Sequence, residues 1–132
     1  MNATALYISD ERDTCDCCGK TGLKRVVVMR LDDLSLAYWG TTCAARNSGK
    51  DQRQIKSEIK QAREQRVEEA RNELMASEPY RQWCDRRVEL YAKSKGKWPQ
   101  SWWDRAMAPF IDALEDQKAI IAEHYRLNIH DL

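Results

Sequence analysis

Three of the chain's five cysteines, Cys15, Cys17 and Cys18, fall within four positions, and Cys43 follows later. Cys15 and Cys18 have the C-x2-C spacing. It lets a tight knuckle aim two sulfurs at one point, with Gly19 relieving the turn. Cys43 closes the run Gly40-Thr41-Thr42-Cys43. It is expected in the first turn of a helix, where a thiolate gains from the positive helix end. Soft sulfur donors in this arrangement suit Zn2+, which takes four ligands in a structural site. Cys15, Cys18 and Cys43 supply three. The fourth stays open: Cys17 is nearest, although its adjacency to Cys18 should turn its side chain away, and Cys84, His124, His130, Asp16 or water are the others. Cys84 also reads as a small buried hydrophobe beside Tyr80, Trp83 and Val88. An odd number of cysteines fits a disulfide framework poorly. The start MNATALYISDERD lacks a basic and then apolar leader, so a reducing, cytoplasmic setting is expected.

A second set of residues runs from Tyr80 to Arg105. It mixes Arg81, Arg86, Arg87, Lys93, Lys95 and Lys97 with Trp83, Tyr91, Trp98, Trp102 and Trp103. Cations beside flat rings suit phosphate contacts and base stacking. They equally describe a helix hairpin with aromatic faces inside and charged faces outside. Near the turn, Lys93, Lys95, Lys97, Trp98 and Trp102 are expected to be accessible and to form a partner-binding surface, since exposed Trp beside Lys is typical of binding hot spots.

The elements that must hold these groups follow from the pattern. Ala5–Ile8 can form a short strand. Val26-Val27-Val28-Met29 is a β-branched run, Asp32-Asp33 a turn, and Leu34–Trp39 a returning strand with Leu34, Leu36 and Tyr38 on one face. Thr41 or Thr42 is expected to cap a short helix that begins around Cys43 and stops at Asn47-Ser48-Gly49. Residues 51–78 contain no Gly or Pro and form a long charged helix, with Ile55, Ile59, Ala62, Val67, Ala70 and Leu74 as a thin apolar stripe. Ser77-Glu78-Pro79 restarts the chain as a helix bearing Tyr80, Trp83, Cys84, Val88 and Tyr91 on one side. Ser101 begins a last helix carrying Trp103, Ala106, Phe110, Ala113, Leu114, Ile120, Ile121 and Tyr125, kinked at Pro109. The last two helices should pair as an antiparallel hairpin. The expected class is therefore α+β and helix-rich: a zinc knuckle with β-hairpin and short helix (1–50), a long helix (51–78) and a helical hairpin (79–132).

The segment 15–46, CDCCGKTGLKRVVVMRLDDLSLAYWGTTCAAR, resembles small zinc-module proteins of bacteriophages and bacteria, which show C-x2-C-G, a strand, and G-x2-C-A at a helix start. The resemblance covers about a quarter of the chain. It implies a treble-clef-like metal site and a mobile-element origin, in which case the compartment is the host cytoplasm. It transfers no activity.

Composition limits the function classes. The 132 residues are 33% charged with a net charge of +1, which excludes whole-molecule attraction to nucleic acid or membrane as the leading idea. No apolar run approaches 18 residues, so no membrane span is expected. Charge is uneven: residues 79–105 carry seven basic and three acidic groups, and residues 106–132 two and five. No phosphate-binding glycine loop or G-x-S-x-G elbow is present, and both histidines follow residue 123. The expectation is a non-enzymatic zinc protein that binds a protein partner as a small regulator or inhibitor. The alternative is nucleic-acid binding through segment 79–105, which salt dependence would reveal.

Overall fold

A computed structural model describes residues 2–132. The chain is α+β: three antiparallel strands, four α-helices and a closing 3-10 turn at Ile129–Asp131. It divides into two compact units, residues 1–65 and 66–132. The sequence suggested divisions near 50 and 78. The single division instead falls inside the long helix, because the apolar residues at its two ends serve different cores.

The first unit is built on strands β1 (Thr4–Ser9), β2 (Val26–Arg30) and β3 (Leu36–Gly40), in the order β1-β2-β3. The β-branched run becomes the central strand, as its composition favours. Val26, Val27, Val28 and Met29 are all buried, so both faces of β2 are covered. Pairing of Met29 with Ala37 and of Val27 with Trp39 sets one face. That face packs with Ala5, Cys15, Cys43 and Ala44, and with Ile55 from the long helix. On β3, Ala37 and Trp39 point into the core, while Leu36, on the other face, is exposed. Leu34 is not in the strand. It occupies the left-handed region (φ 68°) in the hairpin turn, where Asp33 Oδ1 accepts the Ser35 N–H at 3.0 Å.

Helix α1 (Thr41–Ser48) starts two residues earlier than expected, with Gly40 rather than a threonine as N-cap. Gly49 ends it in the left-handed conformation (φ 70°). Helix α2 (Gln52–Met75) follows. Glu58 of α2 accepts the Ala5 N–H at 2.8 Å through Oε2. Lys50 Nζ donates to the Ala3 carbonyl at 2.8 Å and pairs with Glu58.

The second unit contains the end of α2 with helices α3 (Glu78–Ser94) and α4 (Gln100–His124). Its core is Ala70, Leu74, Leu114 and Ile121, with Tyr80, Trp83 and Tyr125 packed against it. The hairpin is present, but three details differ. Leu90 is the buried residue of α3, while Val88 and Tyr91 are exposed. Helix α4 begins at Gln100 with Pro99 as N-cap, so Ser101 lies inside it, and Gln100 Nε2 donates to Asp104 Oδ1. Pro109 lies within α4; Met107 is buried, and Ile120, expected on the apolar face, is exposed.

Candidate metal centre

The knuckle lies in the connection between β1 and β2. Gly19, at φ 72°, turns the chain, and its N–H donates to the Cys15 carbonyl at 2.9 Å. The Cys15 N–H donates to the Lys20 carbonyl at 3.0 Å. Asp16 ties the knuckle to β3 in both directions. Its N–H donates to the Tyr38 carbonyl at 2.7 Å, and its Oδ2 accepts the Tyr38 N–H at 3.0 Å. Gly40 permits a close approach: a Cβ there would stand 3.2 Å from Leu23 and 3.9 Å from Cys15. Two residues of α1 beyond it, Thr41 and Thr42, lead to Cys43 in the first turn.

These elements bring the sulfurs of Cys15, Cys18 and Cys43 within 4.8 Å of one another. Sulfurs bound to one tetrahedral zinc at about 2.3 Å would lie about 3.8 Å apart. A small contraction therefore suffices, and the donor set fits a thiophilic ion. Cys15 and Cys43 are buried and Cys18 is exposed, so the group opens to solvent on one side.

The thiols differ electrostatically. Burial pushes the Cys15 thiol up, but hydrogen bonds from the backbone at Cys18, Gly40 and Cys17 and from the Cys18 thiol outweigh it, lowering it to about 7. Cys43 is pushed up to about 12, because its thiol donates to Cys15 and Cys18 and is buried beside the Cys15 charge. Before any metal binds, one sulfur is thus prepared as the anion and another as its donor.

The candidate fourth ligands separate. Cys17 is outside the group of three. Its sulfur accepts from Asn47 Nδ2 at 3.2 Å and receives only a weaker hydrogen bond from Cys43. The Asp16 carboxylate is engaged by Tyr38 and lies 3.9 Å from Arg12. Cys84, His124 and His130 belong to the second unit and, among the described residues, are not part of the group. Cys84 hydrogen-bonds with the Tyr80 hydroxyl, and the His124 ring meets Tyr125 edge-on at 5.0 Å.

Sequence reasoning missed what surrounds the sulfurs. Cys15, Cys18 and Cys43 line an open cavity of about 610 Å3 whose other walls include Lys20, Lys24, Arg25 and Arg46. The signal was available in Lys20, Lys24 and Arg25, which follow the knuckle, and in Arg46, one helical turn beyond Cys43.

Four of the five residues expected near the turn lie together. Lys93, Lys97, Trp98 and Trp102 line one groove of about 340 Å3 with Ser94 and Pro99. Lys95, the left-handed C-cap of α3, is not in it. Trp98 stacks on Trp103 at 4.4 Å and meets Tyr91 edge-on at 5.7 Å, whereas Trp102 is 40% exposed.

No protein-family model, curated protein or solved structure matches the chain. Among the described residues, no helix is long and apolar enough to cross a membrane.

Proposed function

We propose that this chain is a non-enzymatic zinc protein that recognises a protein partner. The convergence of the Cys15, Cys18 and Cys43 sulfurs within 4.8 Å carries the reading. Zinc is the ion of choice because thiolate-rich sites with no redox requirement favour it. The metal's role is to hold knuckle, β3 and α1 together.

For the partner, the groove of Lys93, Lys97, Trp98 and Trp102 offers an exposed indole on a rigid helix hairpin. The nucleic-acid alternative is weaker than the sequence suggested. Arg81 pairs with Glu78, Arg86 and Lys93 pair with Glu89, and the Arg87 guanidinium lies 4.6 Å from the Trp83 ring. A small regulator or inhibitor, phage-encoded and acting in a reducing cytoplasm, is consistent with the resemblance of segment 15–46 to phage and bacterial zinc modules.

Elemental analysis tests the metal. About one zinc per chain is expected, retained in Cys84→Ser and lost in Cys43→Ser. A folded, metal-free wild-type protein would overturn the reading.

A further inference from the structure

We propose that the fourth metal position is filled from outside the chain, by a carboxylate from an acidic segment of the protein partner entering the basic cavity. The inference rests on the metal reading above and names the partner chemistry that the site selects.

Three observations carry it. First, Cys15, Cys18 and Cys43 all line the cavity, while Cys17 and Asp16 of the same unit do not. Cys17 accepts from Asn47 and makes only the weakest of the Cys43 thiol's hydrogen bonds, and Asp16 is bound to Tyr38. Second, Lys20, Lys24, Arg25 and Arg46 line it without a carboxylate among them, and none of the four has an ion-pair partner among the described residues. A divalent ion with three thiolates carries a charge of −1, so four cations leave the cavity positive and ready for a further anion. Third, Thr41 and Thr42 line the same cavity at the start of α1, whose N-terminus has no side-chain cap. Its first N–H groups therefore add to the attraction for an anion.

A carboxylate is favoured over a phosphate as the entering group. Asp and Glu oxygens are regular zinc ligands. A single monoanion completes the tetrahedron, and Leu23 in the cavity wall suits a peptide's apolar atoms.

Cobalt substitution tests this on the full-length protein, because sulfur-to-cobalt charge-transfer intensity rises with the number of bound thiolates, and the ligand-field bands respond to the fourth donor. The probes are an Asp/Glu-rich hexapeptide, its Asn/Gln counterpart, inorganic phosphate and a single-stranded oligonucleotide. The expected result has three parts. Cys17→Ser keeps the charge-transfer intensity. The acidic peptide alone shifts the ligand-field bands. The double variant Lys24→Gln/Arg46→Gln takes up cobalt normally but binds the peptide roughly tenfold more weakly. Glutamine is chosen because glutamate would offer a carboxylate of its own.

Loss of charge-transfer intensity in Cys17→Ser would show that Cys17 closes the site and overturn the proposal. So would peptide binding that leaves the bands unmoved, or bands that respond to phosphate or the oligonucleotide and not to the peptide. Absence of cobalt and zinc uptake by the wild-type protein would bring down the metal reading itself. Normal uptake with no response to the peptide would bring down only this inference.

Discussion

At the scale of single residues, the two buried thiols of the metal group are set far apart, and this has a measurable consequence. Zinc binds thiolates, so each protonated cysteine must release a proton when the metal enters. Cys43, pushed up to about 12, is protonated at both pH 6 and pH 8. Cys15, lowered to about 7, is mostly thiol at pH 6 and mostly thiolate at pH 8. Its contribution to proton release therefore falls by about 0.8 proton per zinc over that interval. Calorimetry in buffers of differing ionisation enthalpy should show this decrease on top of whatever Cys18 contributes. A release that stays constant between pH 6 and pH 8 would contradict it. The grouping of Cys15, Cys18 and Cys43 was legible from spacing alone, since C-x2-C and G-x2-C each fix a local geometry. The turning away of Cys17 was anticipated from its adjacency to Cys18, but its partner was not, because Asn47 is thirty residues away in the chain.

At the scale of elements, the strands and helices were legible, but the faces were less so. Strand β2 is buried on both sides, so its neighbours show no clean alternation, and Ala37 is too small to announce an inward position against Leu36 and Tyr38. On α3 the exposed Val88 and Tyr91 mimic a core stripe, whereas the buried residue is Leu90. The turn between α3 and α4 separates its two tryptophans in the same way. Trp98, half-buried between Trp103 and Tyr91, should cost about 2–3 kcal/mol of stability when changed to Ala. Trp102, 40% exposed, should cost less than about 1 kcal/mol while weakening partner binding. Chemical denaturation of the two variants checks the ordering, and equal losses would refute the distinction.

At the scale of the whole molecule, each unit has its own core, and α2 supplies residues to both: Ile55 and Ile59 to the first, Ala70 and Leu74 to the second. The sequence showed one thin stripe along this helix without showing that its ends serve different cores, because periodicity reports a face and not its partner. The first core is larger than the hairpin alone would provide, since β1, α1 and Ile55 join it. Metal removal is therefore expected to loosen the knuckle and the start of α1 rather than unfold the sheet. Hydrogen exchange after chelation should accelerate at residues 15–20 and 40–43, with helices α3 and α4 still protected. Loss of protection across α3 and α4 would contradict their independence from the metal.

The bonds made to the outer strands carry a further consequence. A three-stranded sheet has two open sides, and each invites another chain to add a strand. Here the Ala3 carbonyl and Ala5 N–H are taken by Lys50 and Glu58, and both backbone groups of Tyr38 are taken by Asp16. These bonds thus occupy, at the start of β1 and in the middle of β3, positions an added strand would need. These bonds are expected to hinder self-templated aggregation at both sides of the sheet. Glu58→Ala should remove one guard, leave the Ala5 N–H unpaired at a cost of about 1–3 kcal/mol, and produce concentration-dependent association in sedimentation velocity. A variant that is destabilised yet stays monomeric at every concentration would show that the bond braces the fold without protecting the edge.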